Sequence, residues 1–188
     1  MNETQIPEAG KKITILLIPD TSYSESLTGV VRYVTEKTER LCYVSLNKPY
    51  SSLRESFRNQ SIRTERIFFI DAASKKSGTS DDKEPVVFVS SPRALTEMGI
   101  TIKKIIDAAR IESIIFDSIS TLLVYEKPPT ILKFVHSMTS EFRSKNISSF
   151  FTLVKDKASE EMLKDLNMFA DEVIDFGKGS DDPYSSDR

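Results

Sequence analysis

Short unbroken runs of apolar residues alternate along this chain with stretches in which apolar positions recur every three or four residues. The first run, Ile13-Thr14-Ile15-Leu16-Leu17-Ile18, is stopped by Pro19. It has no polar face, so it fits a strand covered on both sides, as in a parallel sheet. Asp20, Thr21 and Ser22 can each cap a helix, and Tyr23, Leu27, Val30, Val31 and Val34 follow at helical spacing. Leu41 to Leu46 reads as a second strand, and Pro49 fits the first turn of a helix whose Tyr50, Leu53 and Phe57 share a face. Arg66 to Ile70 reads as a third strand ending at Asp71, and Val86 to Val89 as a short one. Ile102, Ile105, Ile106 and Ala109 form a helical stripe that leads into Ile111-Glu112-Ser113-Ile114-Ile115-Phe116-Asp117-Ser118, read as the central strand. Pro128 and Pro129 precede a helix carrying Ile131, Leu132, Val135, Met138 and Phe142. Ser149 to Val154 is a further strand, Ser159 with Glu160 and Glu161 opens a helix, and Glu172 to Phe176 is the last strand.

Strands that alternate with helices predict βαβ units with right-handed crossovers. The expected fold is therefore α/β, a three-layer α/β/α sandwich around a mainly parallel sheet. At 188 residues the chain can bury one core and nothing demands a second. Residues 1–10 read as a flexible lead-in, 11–176 as a single domain, and 177–188 as a disordered tail; 72–85, polar and without periodicity, reads as a flexible loop.

Charge and cysteine use narrow the function classes. With 26 basic and 28 acidic residues the formal charge is -2, which gives no general attraction to nucleic acid or anionic lipid. The single cysteine, Cys42, rules out an internal disulfide and fits a small core residue in a reducing compartment. No apolar stretch reaches the roughly 20 residues of a membrane span. A cytoplasmic location is expected.

The candidate chemistry gathers around Asp117, which sits at the carboxyl end of the central strand, where open α/β sheets place their ligands. In phosphate-handling folds such a carboxylate holds Mg²⁺, directly or through water. The blander reading is a carboxylate bonded to neighbouring backbone or hydroxyls. Asp20 and Asp71 also end strands, which raises a three-carboxylate metal site or a receiver-type pocket with Lys155. His136, the only histidine, lies off the apolar stripe of its helix and has no second soft ligand near it in sequence. Tyr50, Phe57, Arg54, Arg58 and Arg63 could form a patch for an acidic partner or single-stranded nucleic acid, against the simpler reading of core-facing aromatics and solvated arginines.

The order of these segments resembles the RecA-like P-loop ATPases and, among them, the KaiC-type proteins. The likeness rests on Phe116-Asp117-Ser118-Ile119-Ser120-Thr121-Leu122-Leu123, similar to that family's Walker B strand, and on supporting stretches at Tyr43 to Leu46, Ile70 to Ala72, Ser91 to Thr96 and 149–154. It spans residues 13–176. The resemblance implies a RecA-like sheet with core order 5-1-4-3-2, the Asp117 strand being third and the strand at 66–70 lying near one edge. That order would put Asp20 and Asp117 two strands apart at about 4.8 Å per strand, with Asp71 farther still, against a shared metal site.

The nucleotide-binding parts do not follow the family pattern. A P-loop uses glycines to close backbone N–H groups around phosphate, a lysine to neutralise it and a hydroxyl to hold Mg²⁺. The matching turn here, Pro19-Asp20-Thr21-Ser22-Tyr23-Ser24-Glu25-Ser26, contains neither Gly nor Lys and adds two carboxylates. Where KaiC-type enzymes place a catalytic glutamate pair after strand two, Asn47 and Lys48 stand instead. The expectation is a non-catalytic regulatory or scaffolding domain, without cofactor, that works through protein–protein contacts in signal transduction or gene regulation. A protein partner, with edge-to-edge self-association as a further option, is expected in place of nucleic acid. The alternative is an ATP- or GTP-binding protein or weak NTPase with an atypical loop, Thr21 or Ser22 and Asp117 surrounding the magnesium of Mg-ATP with Asp117 as metal ligand and a neighbouring subunit supplying a basic residue; a nucleic-acid-binding module is a third reading.

Overall fold

The structure is a computed structural model, described for residues 12–74, 76, 78–79 and 84–177. Among these residues eight strands form one sheet in the order β4-β5-β3-β2-β6-β7-β1-β8. They are β1 (Ile13–Ile18), β2 (Leu41–Ser45), β3 (Ile67–Asp71), β4 (Gly78–Thr79), β5 (Val86–Phe88), β6 (Ser113–Asp117), β7 (Ser148–Val154) and β8 (Glu172–Asp175). All neighbours pair in parallel except β4 with β5. The stretch β8-β1-β7-β6-β2 reproduces the order 5-1-4-3-2, with β3 added beyond β2.

Among the described residues six helices cover the sheet: α1 (Tyr23–Lys37), α2 (Tyr50–Asn59), α3 (Leu95–Ala109), the single turn α4 (Ile119–Leu122), α5 (Pro128–Ser144) and α6 (Glu160–Asn167). The strands are apolar on both faces because each face has its own core. On one, Leu16 and Ile18 of β1, Leu41 and Tyr43 of β2 and Ile115 of β6 pack under α1 and α2. On the other, Ile13, Ile15 and Leu17, Cys42 and Val44, and Ile114 and Phe116 pack under α3, α5 and α6. This period-two alternation makes a three-layer α/β/α sandwich. It also fixes which face Asp117 uses. Two residues after Ile115, its side chain turns toward α1 and α2.

Several boundaries differ from the expected ones by a residue or two. The central strand begins at Ser113, because Ile111 and Glu112 still belong to the turn that leaves α3 through Arg110, at φ 50°. Inside the expected loop at 72–85, Gly78 and Thr79 form β4, antiparallel to β5. A pair this short leaves no periodic trace, and Gly78 adopts φ 98°, which a residue with a Cβ would resist. The expected lead-in at 1–10 lies outside the described residues, as does the expected tail except Gly177. Among the described residues, no helix is long and apolar enough to cross a membrane.

Candidate functional site

The site forms where β2, β6 and β7 end beside the start of α1. Asp117 is the last residue of β6 and is 1% exposed. Tyr23, the first residue of α1, donates its hydroxyl to Asp117 Oδ1 at 2.7 Å. Tyr43, from β2, donates to Asp117 Oδ2 at 2.6 Å. The register explains the second contact. Ser45 pairs with Asp117, so Tyr43 lies two residues down the adjacent strand on the same face, within diagonal reach of a long side chain. The Tyr23 oxygen also lies 2.7 Å from Thr152 Oγ1 of β7, which donates at 3.1 Å to the Phe116 carbonyl. One polar network therefore ties α1 to three adjacent strands.

Burial pushes the Asp117 carboxyl above the ordinary carboxylate range, and the Tyr43 and Tyr23 hydroxyls pull it back. Burial, reinforced by the Asp117 charge, drives both phenols far above their usual value. They remain protonated donors wherever the fold persists. Next in the chain, Ser118 accepts from the Thr121 amide at 3.3 Å and so caps α4, and the Ser120 hydroxyl accepts from the Val154 amide at 2.8 Å. The Ser118 hydroxyl serves its local backbone, whereas Ser120 ties α4 to the end of β7.

Thr21 and Ser22 do not join Asp117. Asp20–Ser22 form one tight 3₁₀ turn in which the Ser22 amide donates to Pro19 O at 3.2 Å, so the chain enters α1 without an open loop. Thr21 is exposed, and Ser22 precedes α1 without a side-chain capping bond. The position over Asp117 belongs to Tyr23, which the sequence reading assigned to helix packing alone. Tyr23, Tyr43 and Thr152 are the site residues that reading missed. A usable signal existed, since a buried tyrosine needs a partner for its hydroxyl and a buried carboxylate needs donors.

The other candidates settle into separate places. Asp71 accepts from the Tyr50, Ala73 and Ser74 amides at 2.8, 2.8 and 2.9 Å and from the Ser74 hydroxyl, which caps α2 and pins the turn after β3. It lies two strands from Asp117, no farther than the turn carrying Asp20 does on the other side. Lys155 pairs with Asp175 at 2.8 Å. His136 is exposed and packs against Phe169 at 4.9 Å. Tyr50 and Phe57 are buried in the core, while Arg54 bridges Glu84 at 2.5 Å. Among the described residues, no three of His, Cys, Asp and Glu come together as a metal-ligand group.

The fold has a solved counterpart. A KaiC-like protein, PH0186, from the hyperthermophilic archaeon Pyrococcus horikoshii OT3 superposes with a TM-score of 0.62 at 12% identity, covering 90% of this chain and 73% of that one. At that identity the likeness is one of fold, and it is a RecA-like fold. No curated protein matches the sequence. Residues 15–176 match the model of the family of unknown function DUF7504, and the chain belongs to that family.

Proposed function

We propose that this protein is a RecA/KaiC-like domain in which the nucleotide site has been given over to structure, and that it acts in the cytoplasm as a non-catalytic regulatory or scaffolding module through protein–protein contacts, in signal transduction or gene regulation. The observation that carries this reading is the Tyr23 hydroxyl seated on Asp117 at 2.7 Å. Both carboxylate oxygens already accept a phenol, and the carboxylate is 1% exposed. A Mg²⁺ ion or its water would have to displace Tyr23 to reach it. The turn before Tyr23 offers no glycine cradle and no lysine, and Asp20 and Glu25 place charge of the wrong sign beside a phosphate. The residues present do not fit a magnesium nucleotide. The turn at 19–26 is a phosphate loop that has lost its function, and the buried Cys42 thiol suits a reducing compartment.

Thermal melting with and without millimolar Mg-ATP and Mg-GTP tests the proposal. A site with a Kd near 10 μM would gain roughly 2.7 kcal/mol at about 1 mM ligand, a readily visible shift. The expected result is no shift with either nucleotide. A shift that Asp117→Ala abolishes would overturn the reading and make this a nucleotide-binding protein with an atypical loop.

A further inference from the structure

Beside the N-terminal half of α3, away from the Asp117 network, the surface holds two adjoining depressions of about 740 and 360 Å³. They meet at Leu95, Thr96, Ile100 and Thr130, so they form one furrowed surface running along α3 beside α5. Ile100 stands between them and is 51% exposed, and just before Glu126 on the rim, Val124 and Tyr125 are 77% and 41% exposed. Phe134 and Met138 continue the apolar floor on the α5 side. From Leu95 to Lys104 the furrow follows α3 for about 14 Å, at ~1.5 Å per residue, the length of two and a half helical turns.

The charges around this surface are unevenly satisfied. The lining carries Arg93, Lys103, Lys104 and Lys133 against two carboxylates: Glu126 faces Arg93 at 3.5 Å, and Glu97 accepts from the Ser90 hydroxyl and amide and keeps its charge, while Lys103 pairs with Glu141 outside the furrow. Lys104 and Lys133, one in each depression, have no carboxylate partner among the described residues. On a chain whose formal charge is -2, this is a local cationic rim around an apolar floor.

Gly99 adds an independent observation. It lies within α3 and lines one depression, where glycine costs a helix about 1 kcal/mol relative to alanine. Packing does not require it. A Cβ there would meet Met138 at 3.5 Å and Phe134 at 3.7 Å, which are ordinary contacts. Gly99 is buried against the floor residues Met138 and Phe134, so a methyl there would fill space between α3 and that floor.

We propose that this furrow is the docking site for an acidic amphipathic helix of a partner protein, its apolar face straddling Ile100 and its carboxylates meeting Lys104 and Lys133. The proposal rests on the protein-contact reading above and gives that contact a surface. It is the helix-in-groove mode, in which apolar anchors at i, i+3, i+4 and i+7 supply the energy and flanking charges select the partner.

The test uses the full chain and a fluorescein-labelled synthetic helix of about 14 residues, with leucines on one face flanked by glutamates, followed by fluorescence anisotropy. Saturable binding is expected, weakened by added salt and by about tenfold or more in Ile100→Asp and in the Lys104→Glu/Lys133→Glu double variant. Gly99→Ala should weaken binding several-fold while raising the melting temperature, which separates loss of the furrow from loss of the fold. No saturable binding, equal binding of a control with lysines for glutamates, or indifference to Ile100→Asp would each overturn the proposal. So would sedimentation showing a dimer that Ile100→Asp dissociates, since the furrow would then be covered by a second copy. None of these results alters the nucleotide melts, so the two readings fail separately.

Discussion

Tyr23→Phe removes one oxygen from the protein and leaves the ring in place, so it isolates the bond between α1 and Asp117. That bond is 2.7 Å long, joins a phenol to a buried carboxylate, and shares its oxygen with Thr152. Hydrogen bonds to charged groups contribute roughly 1.5–3 kcal/mol, and Tyr43 remains to hold the other carboxylate oxygen. With Asp117 ionised the expected loss is about 2 kcal/mol, or roughly 4–8 °C of melting temperature for a domain of this size. The pH dependence sharpens the test. Burial raises the folded-state pKa of Asp117, so the folded chain binds that proton more tightly than the unfolded one. Its contribution to stability therefore falls as pH rises from the ordinary carboxylate range through the raised value. The phenols limit that fall. Removing one raises the Asp117 pKa further, so the deficit of Tyr23→Phe should be greatest on the alkaline side of the raised value and should narrow in acid, where a protonated Asp117 no longer offers a charged acceptor. Urea unfolding of both proteins from acid to alkaline pH measures it. A loss that stays under about 0.5 kcal/mol throughout, or one that grows with acidity, would refute the argument, because the bond would then be worth no more than a typical neutral one.

Asp71→Ala leaves the Tyr50, Ala73 and Ser74 amides without their acceptor, and two or more such losses should cost about 2–4 kcal/mol in urea unfolding, with Asp71→Asn restoring part of it. Cys42 is fully buried, and burial pushes its thiol far above the usual value, so a thiol reagent should modify the native protein only at the rate of unfolding; fast labelling at neutral pH would contradict the β2 packing.

The fold was legible because each of its strands states its environment in composition. Ile13–Ile18 is apolar at every position but Thr14, which only a strand between two helical layers can satisfy, and it forms as read. What did not carry were features shorter than a period. β4 has two residues, and α4 is one turn closed by the Ser118 cap, so neither leaves a pattern that a window can detect. The start of the central strand shifted for the same reason. The turn leaving α3 depends on Arg110 in a left-handed conformation, a local choice that no apolar repeat encodes.

The site was half legible, and the missing half was a matter of face. A strand-end carboxylate and a turn without glycine or lysine could be read directly, but neither says what contacts Asp117 makes. What it does follows from parity. Tyr43 and Asp117 share a sheet face because Ser45 and Asp117 are in register and side chains alternate along each strand. That face is the one α1 covers, and the tight turn over Asp20–Ser22 delivers the first side chain of α1 onto the carboxylate. In a phosphate loop the same segment bows outward and its glycines leave the space above the strand end open. Here a short turn ending in an aromatic residue closes the space and supplies the donor that a buried carboxylate requires. On the proposed reading the missing cradle and the tyrosine plug go together, so introducing lysine or glycine into this turn alone, with Tyr23 left in place, should not create nucleotide binding.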